Sequence, residues 1–156
     1  MAQNDFHWFD QALVNMVNVD IGHDFGATPN VLKLGIISSA TTPAKTTANP
    51  NWSATGTDMS TNEVTDAGTY TLGGEALANP GVSLNAARCE FDWDDPASWA
   101  ANASNGADAK WGIIYDDTAT NKPCLGYVDL GTVFDMTTGT LAVTFPSPSA
   151  YIDQTP

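Results

Sequence analysis

Residues 110–131, KWGIIYDDTATNKPCLGYVDLG, decide the fold. Residues 110–116 form an apolar run of strand length, residues 117–123 (DTATNKP) are polar and turn-forming, and residues 123–131 (PCLGYVDLG) are apolar again. Two strand-sized runs around a short turn-rich stretch read as an antiparallel hairpin. Just upstream, residues 94–108 (DDPASWAANASNGAD) read as a loop that anchors Trp99. Before it, residues 87–93 alternate, with Cys89, Phe91 and Trp93 on one side and Arg88, Glu90 and Asp92 on the other. That period of two marks a half-buried strand.

The same reading extends to both ends. Residues 31–39 (VLKLGIISS) form a buried strand, residues 62–72 give short strand material broken at Ala67-Gly68, and Gly73-Gly74 is a turn. Residues 140–145 (TLAVTF) alternate with Leu141, Val143 and Phe145 inward. Residues 5–18 (DFHWFDQALVNMVN) are the one convincing helix, with Phe6, Phe9, Leu13 and Met16 at helical spacing beside Ala12 and Val17. His7, Asp10, Gln11, Asn15 and Asn18 fall on its other side, and Asn4 or Asp5 can cap it. The expected fold is all-β: an antiparallel β-sandwich or barrel-like fold with one N-terminal amphipathic helix lying across it. Residues 1–22 form the helical segment, residues 29–146 the sandwich with a long loop at 40–59, and residues 147–156 a C-terminal tail. There are no internal repeats.

Length and charge narrow the functions. The chain has 156 residues, enough for one domain. Five Lys and Arg stand against 18 Asp and Glu, a formal net charge of −13, and the pI is about 4.1. So few cations cannot neutralise a phosphate backbone or an anionic lipid surface, which speaks against nucleic-acid and membrane partners. Hydrophobic residues at 42% argue against a disordered chain. No apolar run approaches the roughly 18 residues of a membrane span. The opening MAQNDFHWFD lacks the basic and apolar regions of a signal peptide, so synthesis in a cytoplasm is expected. Cys89 and Cys124 fit neither a disulfide scaffold nor a zinc pattern and read as small buried thiols.

Few residues point to chemistry. The histidines, His7 and His23, lie on a polar helix face and in a polar loop, and no Gly-x-Ser-x-Gly elbow, Walker loop or GxGxxG occurs. No catalytic residue and no cofactor are therefore assigned. Asp92, Asp94 and Asp95 cluster in FDWDDPASW, and Asp116 and Asp117 in YDDTATN. Such carboxylates could hold Ca²⁺, but the EF-hand glycine and distal glutamate are missing. Turn capping by Asp is the favoured reading, so no metal is assigned. Among the tryptophans, Trp93 and Trp111 fall in strands and belong to the core. Trp52 stands in a polar loop, where it either anchors a neighbouring chain or plugs the loop onto its own domain.

The order of these segments resembles that of small tailed-phage virion proteins of the head-decoration or capsid-cement type. The resemblance opens on the N-terminal helix and the strand at residues 29–36 (PNVLKLGI), followed by Ser38-Ser39 and a Thr/Pro loop. It continues through Asn62-Glu63-Val64 and residues 69–77 (TYTLGGEAL), then residues 91–99 (FDWDDPASW). The hairpin segments WGIIYDDT and PCLGYVDLG and a closing strand at 139–145 complete it. Short patterns recur widely, whereas this many in one order over residues 6–146 are specific. Residues 40–59 and the segment after Phe145 depart from the pattern.

The resemblance implies a non-enzymatic virion protein on the capsid surface, present in the host cytoplasm before assembly. It would bind the major capsid protein and itself, with a trimer at a local three-fold axis favoured. The expected contact elements are loop 40–59 around Asn49, Pro50 and Trp52, and the C-terminal segment around Tyr151 and Ile152. Strong single-sign charge would keep such a protein apart before assembly, with divalent cations or basic capsid loops offsetting it afterwards. Two other readings stay open: a tail or fibre component binding a receptor glycan through exposed aromatics, and a carboxylate-dependent hydrolase using Asp94 and Asp116.

Overall fold

The computed structural model describes residues 6–17, 31–65, 67–85 and 88–153. The hairpin at its centre is the expected one. Strands β8 (Ala109–Asp116) and β9 (Cys124–Phe134) pair antiparallel, and β2 (Leu32–Ser38) pairs antiparallel with the other edge of β8. With β1 (Phe6–Trp8) beside β9 and β5 (Glu75–Ala76) beside β2, they make a five-stranded sheet ordered β1-β9-β8-β2-β5. A second sheet, β10-β7-β6, contains β6 (Gly81–Asn85), β7 (Arg88–Asp92) and β10 (Ala150–Asp153). The strands β3 (Pro50–Asn51) and β4 (Thr57–Asp58) form a small parallel pair. The fold is thus mainly β, with antiparallel sheets and, among the described residues, a single α-helix, α1 (Asp10–Val17).

The central strands are buried on both faces. Direct pairing places Leu34, Ile36, Gly112, Ile114, Gly126 and Val128 on one face with Phe6 and Trp8. There Phe6 meets Trp93 edge-on at 5.7 Å between ring centroids, Trp8 meets Phe91 at 4.9 Å, and Phe145 closes on Trp93 at 5.5 Å. These edge-to-face contacts join the two sheets. The other face carries Gly35, Ile37, Trp111, Ile113, Tyr115 and Tyr127. Phe9 packs on Tyr127 from the start of α1, and loop 40–59 lies over the remainder through Trp52. The Asp10 amide donates to the Lys45 carbonyl and so ties helix to loop.

Several sequence expectations change. The helix starts four residues beyond the first apolar residue of its stripe, because Phe6 and Trp8 alternate as a strand on the edge of β9. His7 therefore sits on a strand against Tyr127, not on a polar helix face. Phe9, Ala12 and Asn15 are the buried positions, and Leu13 is exposed. Asn15 tolerates burial because its side-chain oxygen accepts from Gln11 Nε2 at 3.0 Å. Asn4, Asp5, Asn18 and His23 lie outside the described residues. The described residues of 62–72 hold no strand, and residues 140–145 form no ladder, although Leu141 and Val143 are buried and Leu141 bridges Trp99. The expected C-terminal tail contains β10, while strand β6 has no counterpart in the sequence reading.

The segment without a strand closes the open edge of β2. Beyond β5, the Ile36 amide donates to the Tyr70 hydroxyl at 2.9 Å, and the Val64 amide donates to the Ile36 carbonyl. The Tyr70 hydroxyl in turn donates to Glu63 Oε1 at 2.8 Å, which also accepts from the Gly73 amide. Burial, reinforced by the Glu63 charge, pushes the Tyr70 hydroxyl far above its ordinary pKa, so it remains a donor. Gly74, at φ +68°, lies so close to the Leu34 carbonyl that no Cβ fits. Side chains and turns thus satisfy backbone groups that a longer β5 would otherwise pair.

Replacing Tyr70 with Phe keeps the ring and removes the hydroxyl. The buried Ile36 amide then loses its acceptor, at a cost of about 1–3 kcal/mol. Urea denaturation should show a lower midpoint with an unchanged slope.

Candidate docking surfaces

Loop 40–59 was expected to carry the contacts, and its centre faces inward instead. Trp52 is 2% exposed and stacks on Tyr115, with ring centroids 4.7 Å apart and planes within 3°. It lies directly over Gly35, where any Cβ would overlap the indole. The Trp52 amide donates to the Lys122 carbonyl at 2.9 Å, and Asn51 bridges Pro123, so the loop is fastened to the hairpin turn. Asp58 Oδ1 accepts from the Ser53 and Ser60 amides and the Ser60 hydroxyl at 2.8–2.9 Å. Of the two readings open for Trp52 the structure takes the plug, and its place among the expected contact residues is corrected accordingly. The large indole fills the gap over Gly35 and keeps that part of the interior close-packed. Pro50 is buried as well, which leaves Asn49, exposed at φ +44°, on the outside.

The carboxylates first considered for Ca²⁺ all have protein partners. Asp92 accepts from the Ser149 amide and hydroxyl at 3.2 and 2.9 Å and from the Ser147 hydroxyl at 3.1 Å. Asp94 Oδ2 accepts from Asn79 Nδ2 at 2.7 Å, and Asp95 Oδ1 from the Phe145 amide at 2.7 Å. The acidic run FDWDD thus clasps residues 145–149 and sets β10 on the edge of β7. The Trp8 indole N–H donates to the Tyr151 carbonyl at 3.1 Å and fixes β10 to the other sheet.

Asp116 is fully buried and accepts from the Thr118 and Ala119 amides at 2.9 and 3.1 Å. Asp117 lies between Lys122 at 2.8 Å and Lys33 at 3.1 Å. Among the described residues no group of three or more His, Cys, Asp or Glu is arranged to hold a metal ion.

The carboxyl chemistry follows these partners. Burial nudges Asp92 upward, but the Ser149 and Ser147 hydrogen bonds outweigh it and hold the group below the ordinary carboxylate value. At Asp117 burial is likewise outweighed by hydrogen bonds and charge from Lys122 and Lys33. Burial raises the Cys124 thiol well above its usual value, and Cys89 is half-buried and free.

Exposed apolar surface gathers elsewhere. On β6, Val82 is 51% and Leu84 75% exposed, and Leu84 pairs with Cys89, beside Ile152. Tyr151 is 47% exposed on the opposite face of this sheet, with the Arg88 guanidinium 4.0 Å above its ring. Of the expected contact residues, Asn49 and Tyr151 are thus exposed, Ile152 is half-buried, and Pro50 and Trp52 are inside. The period-two pair Val82 and Leu84 in GVSLN was the available signal for β6, in a run too short to stand out. No helix among the described residues is long and apolar enough to cross a membrane. No protein-family model, curated protein or solved structure matches the chain.

Trp52→Ala should cost about 3–5 kcal/mol, as for other buried aromatics, read as a lower denaturation midpoint. A loss of partner binding with unchanged stability would show instead that the indole faces outward.

The depressed Asp92 pKa stabilises the fold at pH values above the unfolded carboxylate value, near 3.9. That stabilisation is lost as pH falls through the lower folded value. The melting-temperature advantage of wild type over Asp92→Asn should therefore be full at pH 7 and shrink below about pH 4. An advantage constant across that range would separate the clasp from Asp92 ionisation.

Proposed function

We propose that this chain is a non-enzymatic structural protein of a tailed-phage virion, which decorates and stabilises the head by binding the major capsid protein. One observation carries the reading: the segments that carry the resemblance interlock as a single scaffold. Strand β2 is closed along its edge by Glu63, Val64, Tyr70 and Gly74, which stand in the NEV and TYTLGG segments. The FDWDD run clasps the chain after Leu141, and the WGIIYDDT and PCLGYVDLG segments form the central hairpin. A shared motif set that builds a scaffold suits a protein whose task is to present a shaped surface in many copies.

The remaining features favour association over turnover. Asp116 is sealed from solvent, and Asp94 is occupied by Asn79, so the hydrolase reading lacks an accessible carboxylate pair. Tyr151 is the only exposed large aromatic among the described residues, which leaves little ring surface for a glycan platform. The net charge of −13 keeps free copies apart and draws them to a basic surface. Closed symmetry would arrange copies on the shell as small rings, with a trimer as the form the resemblance implies.

Quantitative mass spectrometry of purified particles tests the proposal. Copy numbers on the order of hundreds are expected of a repeated head component, with the protein labelled on the outer surface. A dozen or fewer copies would move it to the tail, and particles lacking it would overturn the virion role.

A further inference from the structure

Strand β6 is an edge of the small sheet. β7 pairs it on one side, and no described strand lies on the other. Its pairing runs without a bulge from Gly81↔Asp92 to Asn85↔Arg88. Its sequence, GVSLN, holds neither charge nor proline, in a chain with 18 acidic residues. Soluble proteins ordinarily blunt a free edge with lysine, proline, a bulge or a cover, because its unpaired N–H and C=O groups accept another strand. None of the first three is present here.

The two faces along this edge differ. Val82 and Leu84 stand on one, continuous with Cys89 and Ile152. On the other, Ser83 pairs with Glu90 and Gly81 with Asp92. Glu90 accepts from Asn85 Nδ2 at 3.1 Å, Asp92 from Ser147 and Ser149, and Asp94 from Asn79, and these neutral donors leave the carboxylates their negative charge. The one cation on that face, Arg88, lies over the Tyr151 ring. A strand added along β6 would therefore meet Val82 and Leu84 on one face and Gly81 and Ser83 on the other, where a lysine-length side chain can reach over these small residues toward the carboxylates one strand further in, about 10 Å away.

We propose that β6 is a strand-addition site for an extended segment of a partner protein in which apolar and basic residues alternate. Backbone hydrogen bonds supply affinity, and alternation supplies specificity, since side chains of successive residues reach opposite faces. A second copy of this chain fits poorly. Both copies carry −13, and β6 itself has no cation to set against Glu90 and Asp92. The inference stands on the sheet edge alone. Its failure would leave the virion role untouched, and absence from particles would leave the edge untouched.

The probe is a capped heptapeptide alternating valine and lysine, compared with one of the same composition whose lysines form a block. The alternating peptide should bind at least about tenfold more tightly at equal salt, and slow amide exchange at residues 81–85. Leu84→Glu should weaken that binding about tenfold with the melting temperature unchanged, although an added negative charge strengthens plain attraction for lysine. Equal binding of the two peptides, or tighter binding to Leu84→Glu, would overturn the proposal in favour of charge alone. Sedimentation showing self-association that Leu84→Glu abolishes would overturn it in favour of a second copy.

Discussion

Strands β2, β8 and β9 are apolar on both faces, so neither side of the central sheet can be left to water. That constraint organises the molecule. One face is covered by the second sheet through Phe6, Trp8, Phe91 and Trp93, and the other by the start of α1 and by loop 40–59. At about 25 cal/mol per Å² of apolar surface, leaving either face bare would cost more than a domain of this size has in net stability. The irregular segments are consequently parts of the core. Trp52 over Gly35 and Tyr70 beside Ile36 do for this sheet what longer strands do elsewhere.

What the sequence discloses follows from how local each signal is. The hairpin of β8 and β9, the alternating β7 and the buried β2 each carry their own pattern and are legible from residues alone. Phe6-His7-Trp8 is ambiguous, because Phe6 and Phe9 suit a helix while Phe6 and Trp8 suit a strand. The open edge of β9 decides between them, and that edge is tertiary. Leu141 and Val143 alternate without a ladder because a period of two reports which side chains turn inward, not whether a neighbouring strand exists. Trp52 in a polar loop has the same limitation. Its destination depends on a glycine gap seventeen residues earlier in the chain, over which the indole closes.

The acidic residues show a similar division. Asp turn capping is readable from residue type: Asp116 caps nearby amides as expected, and Asp58, not singled out in the sequence, does the same. The long-range work of Asp92 and Asp95, which hold residues some fifty positions away, was not readable. These carboxylates join the C-terminal strand to the sandwich and thereby complete the small sheet on the β10 side, while β6 stays uncovered by any described strand. The exposed apolar residues Val82 and Leu84 thus stand at a sheet edge that neither a motif nor a composition shift marks.

Amide hydrogen exchange of the free protein, resolved by residue, tests most directly whether the irregular segments belong to the core. The amides of Trp52, Val64 and Leu77, each bonded to the hairpin or to β2, should exchange as slowly as those of β2 and β8, in one cooperative unit. Rapid exchange at these three positions alongside a protected central hairpin would mean that the sheet stands without its covers, contrary to the central claim.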